Sequence, residues 1–297
     1  MQQNKLTAMY MITSLYKYFP SRPVFFDNFL IRATTGRALN DPFEVNPSDD
    51  YWVDLFMVLE RELSREEVQN KLSVMIELEQ REYDFGIGLY KRYGIVSLTE
   101  TRDNLLMWSH YADEHKGFVV EFDITHDFFT KMHSDGNDMV GEVSRVYYRK
   151  QRTNKLSNYL EPYFVKSDEW QYEKEHRLLL PISKADRYLI SNQNDLEDIL
   201  ECYPNAVSDN ETSKNSSLKE ISNSEGPGLS FEYPSVMCMF KVPKEAIKSI
   251  TFGCNCPIAI ITEIKGKLYE QGLEDVTLYR ALRDSSDFKL NFNEVDY

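Results

Sequence analysis

Short apolar runs alternate with helical stretches along this chain, and that alternation limits its fold more than any other property. The runs "LYKYF", "IRATT", "GIVSLTE", "FVVEFD", "EVSRVYY", "RLLLPI", "SVMCMFKV", "SITFG" and "VTLYRAL" have strand length, and turn-forming residues bound several of them. Between them, residues 49 to about 84 have helical periodicity, and "SREE" places Ser64 and Glu67 at capping-box spacing. "DNLLMWSHYADEHKG" predicts a helix closed by Gly117, and "IAIITEIKGKLYEQG" predicts one begun at Pro257 and stopped by Gly272. This interleaving predicts an α+β fold of mostly antiparallel strands with inserted helices.

A single domain over residues 1–297 is expected, with residues 49–93 as a helical insertion. Residues 191–230 differ in kind: eight acidic residues against two lysines, among Asn and Ser, predict a polar, flexible surface insertion. Replacing about 25 of them by a short linker should then cost little stability.

A hydrophobic fraction of 42% excludes disorder throughout. The formal charge of −14 would repel nucleic acid or an anionic membrane at long range, so a nucleic-acid ligand would need a local basic groove. No apolar stretch has the length to span a bilayer, and the residues before the first strand lack the basic, apolar and cleavage regions expected of a signal peptide. Cys202, Cys238, Cys254 and Cys256 form neither a disulfide framework nor a metal-site spacing, so a cytoplasmic protein without a metal or a membrane partner is expected.

In "EWQYEKEHRLLLP", Glu173 and Glu175 lie two residues apart where a strand begins. In extended chain both carboxylates would share one face, and the repulsion would raise one pKa unless partners were supplied. A solvent-facing strand edge would tolerate the pair. Other polar residues recur at strand ends: Tyr16 and Lys17, Ser97 and Thr99, and Arg102. Trp108, Tyr111 and His115 would share one helix face, which either packs into the core or lines a pocket. His110 and His115, five apart, cannot share a metal on a helix. Asp103 with "EHK" (Glu114 to Lys116) superficially matches the acid and Glu-x-Lys set of metal-dependent nucleases, whose Glu and Lys share a strand face.

The blocks "LYKY", "LNDPFE", "LLMWSHYA" and "WQYEKEHR", spread over roughly residues 15 to 255, resemble an uncharacterised bacterial family of unknown function. "EKEHRLLLP" is also similar to the (Gln/Glu)-x-Glu motif of ADP-ribosyltransferases, and Ser97-Leu98-Thr99 resembles their Ser-x-Ser/Thr strand. "SLTETRDNLLMW" looks like the DarT-type enzymes that modify nucleic acid. That resemblance implies two small sheets around a cleft and NAD as substrate. It implies catalysis by Glu175 and Glu173, with NAD held by Tyr16, Lys17, Ser97, Thr99, Arg102, Trp108, His110 and His115. It also implies a nucleic-acid or protein acceptor, a regulatory or antitoxin partner, and a toxin or phage-defence role. Two other readings follow from the residues: a non-catalytic sensor or interaction module, in which the glutamates pair with Arg177 or another cation, and a metal-dependent nuclease.

Overall fold

The structure, a computed structural model, describes residues 12–59, 61–74, 92–135, 138–207 and 218–296. Its strands in chain order are β1 (Ser14–Phe19), β2 (Leu30–Thr35), β3 (Tyr93–Thr99), β4 (Phe118–Asp123), β5 (His133–Asp135), β6 (Asp138–Val140), β7 (Ser144–Arg145) and β8 (Tyr147–Arg149). They continue with β9 (Val165–Ser167), β10 (Glu175–Pro181), β11 (Arg187–Ile190), β12 (Lys219–Ile221), β13 (Met237–Lys241), β14 (Ile247–Phe252), β15 (Thr277–Arg283) and β16 (Leu290–Glu294). The class is mixed α+β with mostly antiparallel pairing. The chain divides into two compact units, one from the residues up to 22, 100–130 and 243 onward, the other from 23–99 and 131–242.

In the first unit β1, β4, β14, β15 and β16 are neighbours in that order. Phe118, Val120 and Phe122 of β4 are fully buried, as their alternation predicts, and Leu15, Ile250 and Phe252 are buried with them. β14 and β15 run parallel, so the chain needs a crossover. The helix Ile258–Glu270 provides it and buries Ile261, Ile264 and Leu268. Pro257 is its N-cap, and Gly272 follows its last turn with a φ of 68°.

In the second unit the order is β12, β11, β13, β2, β3, with β10 paired to β3 and β7 to β10. Helices Asp49–Leu59 and Arg65–Ser73 bury Trp52, Phe56, Val68 and Leu72 against Tyr93, Ile95, Tyr163 and Leu179. The capping box is formed on both sides: Ser64 accepts from the Glu67 N–H, and the Glu67 carboxylate accepts from the Ser64 N–H. The helix expected as far as residue 84 lies beyond residue 74 outside the described residues.

Of the segment 191–230, residues 208–217 lie outside the described residues, and the rest is more structured than its composition predicts. Helix Gln193–Cys202 buries Leu196 and Ile199, β12 pairs with β11, and helix Gly226–Glu232 buries Leu229. Polar residues dominate the count, yet leucine and isoleucine three apart form one apolar helix face. No helix among the described residues is long and apolar enough to cross a membrane.

Candidate functional site

The two glutamates converge, but not by strand alternation. Residues Asp168–Glu173 form a 3₁₀ turn, Lys174 takes a left-handed φ of 45°, and β10 begins only at Glu175. Two bonds pin the junction: the Glu175 N–H donates to the Tyr148 hydroxyl at 2.7 Å, and the Thr99 hydroxyl donates to the Glu173 carbonyl at 2.6 Å. Every residue of β10 is buried, so the pair does not occupy a solvent-facing edge.

β9 carries Lys166 to the same place, running parallel to β8. The loop "LNDPFE" brings Glu44. Within it the buried Asp41 carboxylate accepts from the Trp170 indole at 2.8 Å and from the Phe43 N–H at 2.9 Å, which docks the loop on the 3₁₀ turn. Val45 then adopts a φ of 53°, a rare conformation for a β-branched residue and an energetically costly one.

The result is a buried cluster of three carboxylates and two cations. The Lys166 ammonium lies 2.9 Å from Glu44, 2.6 Å from Glu173 and 3.2 Å from Glu175. The Arg177 guanidinium binds Glu175 through Nε at 2.9 Å and Nη2 at 3.0 Å. It also donates to Glu44, and to the Tyr163 carbonyl at 2.7 Å. All five side chains are at most 7% exposed, so their charges interact with little solvent screening. The cations supply the partners that the glutamate spacing demands.

Burial works to raise the Glu175 pKa, but the charges of Arg177 and Lys166, with hydrogen bonds from Arg177 and Ser97, hold it at about 2. Burial would lower the Lys166 and Arg177 pKa values. The carboxylates outweigh it and raise both. Burial pushes the Tyr148 phenol up to about 12. Three carboxylates meet two cations, so each carboxylate has a cationic partner while the five side chains together keep one net negative charge.

The structure brings Ser97, Thr99, Glu173 and Glu175 together in the second unit. β3 and β10 pair with Thr99 opposite Glu175 and Ser97 opposite Arg177. The other sequence-predicted residues belong to the first unit. Arg102 sits over the rings of Tyr279 (4.3 Å) and Phe292 (4.7 Å) and donates to the Thr251 hydroxyl at 3.3 Å. Tyr16 is half-buried, and its pKa is raised by burial and then by the charge of Glu121. Lys17 is half-buried and His110 exposed.

Trp108 is fully buried, its indole donates to the Arg102 carbonyl at 2.8 Å, and Tyr18 meets its ring edge-on at 5.2 Å. It is a core residue. His115 is not on the helix, which ends at Tyr111. Asp113, Glu114 and His115 all have positive φ, and this left-handed turn folds His115 back to stack on Trp108 at 6.0 Å. Burial, then the charge of Arg283, lowers the His115 pKa. Gly117 does not end the helix. A Cβ there would lie 2.1 Å from the Phe19 carbonyl oxygen, so its role is close backbone approach. Glu114 and Lys116, an exposed ion pair at 3.0 Å, lie in this turn and not on a strand, which removes the nuclease-like arrangement.

Sequence reasoning assigned no role to Glu44 or Lys166. Glu44 lies far from β10 in sequence, and only the fold shows that the polar end of "LNDPFE" points inward.

A family profile described as "Protein of unknown function (DUF2971)" matches residues 107–178. The match includes Lys166, Glu173, Glu175 and Arg177 but not Glu44. No curated protein and no solved structure matches the chain.

Proposed function

We propose that this protein is an NAD-dependent ADP-ribosyltransferase, or an NAD glycohydrolase using the same residues. One observation supports the reading above the others: Ser97-Leu98-Thr99 lies antiparallel beside β10, and Ser97 hydrogen-bonds the Glu175 carboxylate. The two motifs that resemble the transferases are thus neighbours, although the chain separates them by more than 70 residues.

The chemistry fits the charge of the cluster. NAD supplies a ribose whose bond to nicotinamide breaks with the electron pair leaving on nicotinamide and positive charge developing on the sugar. Glu175, ionised at neutral pH, is suited to stabilise that charge. Glu173 is suited to take the proton of an acceptor hydroxyl or of water. The net negative charge of the cluster favours a cation there. Lys166, which now occupies the space between the three carboxylates, is the group that must yield to the ribose. Two small sheets around a cleft and a regulatory partner remain part of this proposal.

A second reading, a sensor or interaction module without catalysis, is favoured by the pairing of Glu175 with Arg177 and of Glu173 with Lys166. Incubating the protein with NAD and measuring free nicotinamide, with and without nucleic-acid and protein acceptors, separates the two. Glu175→Gln should abolish release in samples verified as folded, and Glu173→Gln should reduce it in an acceptor-dependent way. A wild-type protein that consumes no NAD under any of these conditions overturns the transferase reading.

A further inference from the structure

A cavity of about 550 Å³ opens beside the charge cluster, with Glu44 and Lys166 in its wall. Four cationic side chains line it against two carboxylates, in a chain whose total charge is −14. Both Glu44 contacts are inward, to Arg177 and Lys166, so its charge is already balanced within the cluster. Arg149 is held by Glu161 at 2.9 Å, whereas Lys150 and Arg152 have no carboxylate partner among the described residues. At the rim stands Phe43, 62% exposed, with the Arg152 guanidinium 5.8 Å from its ring centre. A large aromatic side chain left in water costs stability and offers a flat stacking face.

Two further observations point to a ligand. The hydroxyls of Ser48 and Thr153, both lining residues, are buried without a hydrogen-bond partner among the described residues, and Thr153 as a whole is only 4% exposed. Buried hydroxyls are normally satisfied, so these two are placed to meet a polar group from outside. The left-handed Val45 also lies in the wall, following the exposed Phe43 and the buried Glu44.

We infer that this cavity is a nucleotide site, in which Lys150 and Arg152 take a phosphate, Ser48 and Thr153 meet its oxygens or a sugar hydroxyl, and a base stacks on Phe43. Aromatic face and cations side by side are what single-stranded nucleic acid and free nucleotides both require. An acidic peptide would use the cations but leave Phe43 and the two hydroxyls idle. The inference goes beyond the transferase reading and does not depend on NAD being consumed.

The test is equilibrium binding of a fluorescent single-stranded hexanucleotide to the full chain, with adenosine monophosphate, inorganic phosphate and an oligoglutamate peptide as competitors. Phe43→Ala should weaken binding about tenfold. Arg152→Glu should weaken it at least about tenfold and reduce the salt slope by about one. Thr153→Val should weaken it several-fold without lowering the melting temperature, because the lost hydroxyl bonds none of the described residues. A hexanucleotide more than about tenfold tighter than the monophosphate identifies a strand as the source, and equal affinities identify a free nucleotide. The inference is overturned if neither nucleotide probe binds at millimolar concentration, or if Arg152→Glu binds as well as wild type. It is also overturned if phosphate or oligoglutamate competes as well as the monophosphate.

Discussion

Glu175→Gln should cost stability as well as activity, and the amount follows from the cluster. A carboxyl held at about 2 instead of its ordinary 4.5 contributes about 3 kcal/mol to folding at neutral pH. The sign follows from the depressed value: the contribution is complete above about pH 5 and is lost as pH falls toward 2. Gln keeps the shape but gives Arg177 and Lys166 a neutral partner, so the variant should be about 3 kcal/mol less stable at pH 7. For a chain of this length that is a fall of roughly 5 °C in melting temperature. The cost arises because the glutamate is buried at the start of β10 and not at a solvated edge. Urea denaturation of both proteins at pH 7, 4 and 3 measures the effect. The gap between the two curves should narrow with acid, because the wild type loses a contribution the variant never had. Equal stability at pH 7, or parallel curves at every pH, would refute the argument that Arg177 and Lys166 hold this charge.

Two further outcomes test the fold. Ile199→Ala, in the helix of the 191–230 segment, should cost about 3 kcal/mol by emptying a fully buried site, so a thermal melt should fall where a surface insertion would show no change. Gly253→Ala should cost about 3 kcal/mol or more, because its new Cβ would lie 2.0 Å from the His115 carbonyl oxygen, backbone that cannot rotate away. A melt within one degree of wild type would show that the left-handed turn relaxes freely.

Local signals in the sequence were legible. The Ser64–Glu67 box, the Pro257 start and the Gly272 stop each need only a few neighbouring residues, and all three form. The alternation of β4 was equally readable, since one face had to be apolar. The errors arose where distant chain overrides local preference. Helical periodicity continued through "ADEHKG", but close approach to Gly253 and a stack on Trp108 pull Asp113 to His115 into left-handed backbone. The glutamate pair was recognised as unusual and the need for partners foreseen. That the partners would include Lys166 and that Glu44 would join them depended on a loop and a strand whose meeting no local pattern encodes.

Three separated pieces of chain, the "LNDPFE" loop, β9 and the turn into β10, each bring charge into one buried cluster. None can enter it alone at reasonable cost, since a single buried ion without its counterpart is strongly unfavourable. The β3–β10 hydrogen bonds could form early, but Arg177 would then sit beside Glu175 with Glu44 still in water. The pieces must therefore arrive nearly together, which gives the second unit a late and concerted step on its route to the native state. Partly assembled forms would retain hydrated charges, which keep them soluble while the last segment docks.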